Sequence, residues 1–400
     1  MRVLLTSWGS RGDIEPLAGL AVAIQRRGGE AVIAAPPDDD FAVLLERAGV
    51  PMIGLGPSVK SVVAAPKPPG AQAAFQLAPA LVAARFETLM TAGRGCDALL
   101  ATGLMPAGAR DVADKLGIRY VLACFHTLGL PSRTEAPGRR PGTPSLPGAD
   151  LKTQWAQDAE RVNALYGAAV NTHRAAIGLP PIDNVRDYVF GDRPWLAADP
   201  VLWPAAGTTE FDLVQTGAWF LPDDRPLPAG LESFLDAGEP PVYVGFGSMA
   251  SYTSKDLAQV SIGSVRAQGR RIVLASGWAG LTGIDDAPDC FVVGDVNQQA
   301  LFPRMAAIVH HGGAGTTHTA ARSGTPQVIV PHIADQPRWA ARIAELGIGV
   351  AHDGSAPAVD SLSAALTAAM KPDLRVRAQA VAATITADGA DAAAKLLLNP

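Results

Sequence analysis

Short apolar runs alternate with longer helix-forming segments along this chain, and the series occurs twice. In the first half, runs rich in Val, Ile, Leu and Ala lie at 3–7, 31–35, 98–101 and 120–124, with helical segments predicted at 15–27, 41–48 and 107–116. Runs this short, with no polar residue at every second position, mark strands buried on both faces, and such strands belong to parallel sheets covered by crossover helices. The series restarts after Pro240 and Pro241, with strands at 242–246, 271–275, 290–293, 307–310 and 328–330 and helices at 256–268, 315–322 and 338–346. A chain of 400 residues exceeds what one hydrophobic core normally serves. The pattern therefore predicts an α/β protein with two Rossmann-like domains facing each other across a cleft, residues 1–220 and 231–400. The turn-rich stretch LPDDRPLPAG at 221–230 is the predicted linker and hinge.

Charge narrows the partners. A formal net charge of −5, with basic residues dispersed along the chain, offers no footprint for nucleic acid or an anionic membrane. The apolar run at the start stops after a few residues and turns into Gly, Arg and Asp, too short for a signal peptide or a span. Cys96, Cys124 and Cys290 are scattered and lack metal-ligand spacing, so they read as packing residues in a reducing cytoplasm. A cytoplasmic, monomeric protein acting on small molecules is expected. Two Pro/Gly-dense stretches, 55–70 and 128–148, interrupt the first series; each is either a surface loop or a lid over a bulky ligand.

The most informative segment is HHGGAGTT at 310–317. It runs from the end of a predicted strand into the first turn of a helix. Gly312, Gly313 and Gly315 permit close backbone approach, and a helix start presents unpaired N–H groups at its positive end, which makes an anion site. No Walker lysine and no GxGxxG accompany it, so the anion would be held by backbone, hydroxyl and imidazole groups. No acidic pair stands where a divalent metal would sit beside it. The run Asp38, Asp39, Asp40 follows a strand in the other half and is predicted to start a helix.

Several longer stretches carry a resemblance. MRVLLTSWGSRGDIEPL at 1–17, HRAAIGLPPIDN at 173–184, VQTGAWFLPDDRPL at 214–227, PPVYVGFGS at 240–248, CFVVGDVNQQALF at 290–302, HHGGAGTTHTAARSGTPQ at 310–327 and ADQP at 334–337 occur in order over nearly the whole length. With them the chain resembles the bacterial natural-product glycosyltransferases of the GT-B fold, in particular those acting on vancomycin- and teicoplanin-type glycopeptides. The resemblance implies a nucleotide-sugar donor on the C-terminal domain and a glycopeptide aglycone acceptor on the N-terminal one, with a UDP-sugar as co-substrate and no cofactor. Carried over by position, Trp278 and Val296 would flank the base. Ser248, His311, Gly313, Thr316 and Thr317, with Gly315 in the same turn, would hold the diphosphate. Asp335 and Gln336 would contact sugar hydroxyls. Asp13, in the segment that also supplies Ser10, Arg11 and Gly12 to the substrate, would be the catalytic base, with Asp335 as the alternative.

The residues also allow plainer readings. Asp13 can cap the first helix, Trp278 can be a core tryptophan, and His310, one residue before His311, is expected to face inward. The reaction implied is inverting, metal-independent transfer of a glucose or N-acetylglucosamine type hexose to an aglycone hydroxyl. His311, cationic or hydrogen-bonding, would join the helix terminus in stabilising the departing diphosphate. Alternatives are a dTDP-deoxysugar transferase, a UDP-sugar epimerase and an inactive nucleotide-sugar-binding partner. Arg338 and Trp339, after the ADQP segment, depart from the tyrosines of close relatives and leave the sugar open.

Overall fold

Both apolar series fold as wholly parallel sheets in the computed structural model, which describes residues 1–65, 72–138, 148–247, 256–277 and 287–399. The first sheet comprises β1 (Arg2–Trp8), β2 (Glu30–Ala35), β3 (Met52–Gly54), β4 (Ala98–Gly103), β5 (Arg119–Cys124), β6 (Trp195–Leu196) and β7 (Val214–Gln215), in the order β3-β2-β1-β4-β5-β6-β7. The second comprises β8 (Val242–Gly245), β9 (Ile272–Ala275), β10 (Cys290–Val293), β11 (Ala307–His310), β12 (Gln327–Ile329) and β13 (Gly349–Ala351), in the order β10-β9-β8-β11-β12-β13. In each sheet the chain winds outward one way from its first strand and then returns to wind the other way. The strand order thus reverses between β1 and β4, and between β8 and β11. Ligands of open parallel sheets bind beyond the carboxyl ends of the strands at such a reversal.

The central strands are apolar because helices cover both faces. In β1 every residue after Arg2 is buried, and Val3 sits in register between Ala31 and Ala98. In β11 all four residues are buried, and Val309 lies between Val328 and Val244. Strands β3, β6, β7 and β13 and the long helix Gln72–Ala92 were not among the predicted elements. Of the two Pro/Gly-dense stretches, the first contains helix Val59–Ala64, capped by Ser58, and the second is described only at its ends.

Two units emerge, each with its own core. The first contains 1–200, 204–221 and the chain from Ala387 onward; the second contains Val201–Trp203 and Pro222–Thr386. The last helix, Gly389–Leu398, was expected in the second domain but packs along helix Arg11–Arg26 of the first. Gly389 lies so close to the backbone of Gly217 and Ala218 that a Cβ there would overlap it, and Arg27 pairs with Asp391. Of the turn-rich stretch 221–230, Leu221 belongs to the first unit and 222–230 to the second. Leu227 enters its core, Arg225 bridges Asp223 and Asp295, and the Asn297 amide donates to the carbonyls of Asp223 and Arg225.

The segment 173–184 holds the first unit together. Arg174 donates to Asp111 at 2.5 Å and to the Pro180 carbonyl at 2.6 Å, both charged side chains being almost fully buried. Burial raises the Asp111 pKa against the opposing pull of Arg174. No described helix is long and apolar enough to cross a membrane.

Candidate functional site

In the second unit, β11 delivers His310 to the end of the sheet and the chain turns sharply at Gly312, whose φ of +89° suits glycine. A Cβ there would also come within 2.7 Å of Ile329 Cγ2 and 3.3 Å of the Gln336 carbonyl oxygen. Gly313 then serves as N-cap of helix Ala314–Arg322 without giving its first turn a side-chain acceptor. The N–H groups of that turn have no intrahelical partners, and their dipole end is positive. Gly315, in the same turn, has open space where a Cβ would point.

The two histidines have separate tasks. His310 is fully buried; its Nδ1 accepts the Gly312 N–H at 3.1 Å, so the proton resides on Nε2, which donates to Gln327 Oε1 at 2.8 Å. Burial drives its pKa down to about 4. His310 therefore locks the turn. His311 points the other way: a Cβ on Gly313 would lie 2.6 Å from its Nε2, and one on Gly247 would lie 3.3 Å from its Cε1. Burial, then the neighbouring His310 and His332, push its pKa down to about 3. A neutral ring is what this burial favours.

His311 Nδ1 is shielded from solvent and lacks a hydrogen-bond partner among the described residues, and the His332 ring beside it is shielded too, with the Val330 backbone as its polar neighbour. Buried polar atoms in native proteins nearly always have one, so an orphaned group calls for an explanation such as a ligand. The His332 ring stands edge-on to Phe246, 6.0 Å between centroids, so the two imidazoles rest against consecutive residues at the end of β8. Gly247, at φ +56°, is met there by Gly277 from the end of β9: a Cβ on Gly277 would lie 2.7 Å from the Gly247 carbonyl oxygen. Gly277 and His332 were not picked out from the sequence. A glycine just past the neighbouring strand was the available signal.

Other expectations need correction. Thr317 is fully buried and its hydroxyl donates to the Gly313 carbonyl at 2.9 Å, so only Thr316 of the threonine pair lies on the partly open side. Val296 is buried and packs in the core with Leu301 and Phe302. Gln336 is buried and its side-chain oxygen accepts the N–H groups of His332 and Ile333 at 2.8 and 3.1 Å, which shapes the 332–335 turn. Ala334 in that turn adopts φ +55°, the one non-glycine residue in the left-handed region among the described residues. Asp335 is partly exposed, beside the turn. Ser248 and Trp278 lie outside the described residues.

The first unit's reversal point is built differently. After β1, Ser10 caps helix Arg11–Arg26, accepting from Gly12 N–H at 3.3 Å, while Asp13 Oδ2 accepts the Ser10 N–H at 2.8 Å. The capping reading of Asp13 is thus realised. Its other oxygen, Oδ1, lies toward the end of β4, 3.3 Å from where a Cβ on Gly103 would sit, and a Cβ on Gly9 would overlap the carboxylate. Arg11 pairs with Glu15 at 2.6 Å, and Gly12 is exposed. Arg85 fixes the loop after β4. Its buried guanidinium donates to the carbonyls of Ala107 and Leu104, and burial lowers its pKa to about 10. The run at 38–40 opens helix Asp39–Arg47, and Asp38 reaches across to accept the Val59 and Lys60 N–H groups at 2.8 and 3.1 Å. Among the described residues no His/Cys/Asp/Glu cluster is arranged to hold a metal.

Residues 261–394 match the C-terminal domain model described as Erythromycin biosynthesis protein CIII-like. Three proteins of Amycolatopsis orientalis align over most of their length. Glycosyltransferase GtfE is 51% identical, covering 99% of this chain and 97% of its own; vancomycin aglycone glucosyltransferase is 48% identical, covering 100% and 97%. The third, dTDP-epi-vancosaminyltransferase, is 47% identical, covering 95% and 93%. The chain belongs to the vancomycin-type glycopeptide glycosyltransferase family. A solved structure, the glycotransferase of kitacinnamycin, superimposes with a TM-score of 0.75 at 20% identity, covering 99% of this chain and 98% of that one, and the fold is GT-B. Membership of this glycosyltransferase family sets aside the epimerase and inactive-partner alternatives.

A pH dependence follows from the His310 lock. The folded state keeps this imidazole neutral down to about pH 4, whereas the unfolded chain protonates it near 6.5. Its contribution is complete above pH 6.5 and is lost as pH falls toward 4, because only the unfolded state takes up the proton in that window. The unfolding free energy measured by urea titration is expected to drop by about 2 kcal/mol between pH 7 and pH 5 from this residue. His311 acts in the same direction. A flat profile over this range would contradict the burial of both rings.

Proposed function

We propose that the chain catalyses inverting, metal-independent transfer of a hexose, of the glucose or N-acetylglucosamine type, from a UDP-sugar to a hydroxyl of a glycopeptide aglycone. The observation that carries this reading is the asymmetry of the two helix starts. In the first unit the helix after β1 is capped by its own Ser10 and Asp13. In the second, the helix after β11 begins at an uncapped Gly313 beside the His311 ring, whose Nδ1 lacks a partner among the described residues. An anionic diphosphate suits the second and not the first.

In this reading the N–H groups of the turn 313–316 and the His311 imidazole stabilise charge on the departing diphosphate. Asp335 contacts the sugar, and Asp13 takes the proton from the acceptor hydroxyl as its oxygen bonds to the anomeric carbon. The bond from that carbon to the diphosphate breaks on the opposite face. A phenol with a pKa of about 10 is a poor nucleophile until a base removes its proton, so a positioned carboxylate has work to do.

A second donor class has its own support, since a 47% identical relative is named for a dTDP-linked sugar. Mass spectrometry of reactions offering UDP-glucose, UDP-N-acetylglucosamine and a dTDP-deoxysugar to a glycopeptide aglycone, with and without EDTA, separates the readings. A hexose or N-acetylhexosamine adduct from a UDP donor, undiminished by EDTA, is expected. An adduct from the dTDP donor alone overturns the donor choice, and loss of turnover with EDTA overturns metal independence.

A further inference from the structure

Asp335 precedes helix Gln336–Glu345 at the N-cap position, where an aspartate ordinarily spends its carboxylate on the first N–H groups of the helix. Here it does not. Its backbone is in the right-handed helical region (φ −81°, ψ −15°), no side-chain cap forms, and Pro337 in the first turn lacks the N–H a cap would use. Asp335 Oδ2 instead accepts the indole N–H of Trp339, one turn along, at 2.7 Å.

Trp339 is fixed on all sides. It is fully buried, its ring centroid is 4.5 Å from that of Trp203 and 5.1 Å from that of His318, and His318 Nδ1 is itself bonded to the Ala314 carbonyl at 2.7 Å. Trp203 belongs to a short segment of the second unit whose Val201 carbonyl accepts two N–H groups from Arg342, at 3.0 and 2.8 Å. The same tryptophan thus ties the turn that carries Asp335 to the helix that begins at the open Gly313 turn. An indole with no rotamer freedom is a firm anchor for a partly exposed carboxylate.

We propose that Trp339 is a positioning residue for sugar recognition: its N–H fixes Asp335 Oδ2 and so presents Oδ1 to the hydroxyls of the donor sugar. The inference rests on the reading of Asp335 as a sugar contact. Trp339→Phe keeps an aromatic ring at this position but removes the indole N–H, which frees the carboxylate to rotate away from the sugar.

The test is a double-mutant cycle on the full chain with the sugar donor that wild type uses, reading kcat/KM, together with calorimetric Kd for the matching nucleoside diphosphate. Asp335→Asn and Trp339→Phe are each expected to lower kcat/KM about tenfold, with Kd for the diphosphate unchanged within about twofold. The double variant is expected to be no worse than Asp335→Asn alone. Should Trp339→Phe fold poorly, benzothienylalanine at 339, which replaces the indole N–H by sulfur in the same shape, gives the same comparison. Losses that multiply to about a hundredfold, or a Trp339→Phe enzyme as active as wild type, overturn the positioning role while Asp335 keeps its own. Full activity of Asp335→Asn overturns the sugar contact, and the positioning with it.

Discussion

Gly313→Val is expected to weaken UDP binding by at least about a hundredfold in calorimetry while the protein still folds. Gly313 has φ −64° and ψ 142°, an extended conformation open to any residue, so valine brings no backbone strain at this position. What it brings is bulk. Its Cβ would lie 2.6 Å from His311 Nε2, and the ring cannot retreat freely because Gly247 is on its other side. The branched side chain would displace the imidazole and crowd the first-turn N–H groups together. Neighbouring glycines serve as controls. Gly312→Ala meets Ile329 at 2.7 Å from a φ of +89° and should cost stability outright. Gly315→Ala has open space and a helical position, so it should fold at least as well as wild type. A Gly313→Val protein that melts normally and binds UDP like wild type would remove the turn from the donor site.

The sharpness of this turn was readable from residue types, because glycines between a strand and a helix permit the left-handed backbone that Gly312 adopts at φ +89°. Its inner face was not. That His310 is a lock depends on Gln327, 17 residues on, and on the Gly312 N–H. The inward turn of Thr317 was within reach: it lies four residues after Gly313, where a threonine hydroxyl bonds back to the carbonyl of the preceding turn. Central strands such as β1 and β11 announced themselves as apolar runs because both faces are buried. The pairs Trp195–Leu196 and Val214–Gln215 are too short to form any period, and the helix Gln72–Ala92 carries Pro79 in its interior, a residue that argues against a helix in sequence, and follows a Pro/Gly-dense stretch. The last helix could not be assigned locally at all, since it packs along helix Arg11–Arg26 at the other end of the chain, where Arg27 meets Asp391 across 364 positions.

Asp13→Asn is expected to lower kcat by about 10²–10⁴ and to leave the affinity for UDP within about twofold. The substitution is chosen because two roles of this side chain can be separated. As part of the cap it accepts the Ser10 N–H through Oδ2, and an amide oxygen can do the same. As a base it must take a proton, which an amide cannot. Asp13→Asn should therefore melt close to wild type while losing turnover, whereas Asp13→Ala should lose turnover and about 1 kcal/mol of cap stability together. Gly9 and Gly103 leave the carboxylate room that any side chain at either position would fill, and Gly103 holds φ +86° at the end of the strand beside β1. The clearance at Gly9 serves the cap itself, since the oxygen it admits is Oδ2, whereas Gly103 lies on the side of Oδ1. If Asp13→Asn retains more than about a tenth of wild-type kcat, the residue caps and nothing more. Asp335→Asn would then be the variant in which to look for the missing base.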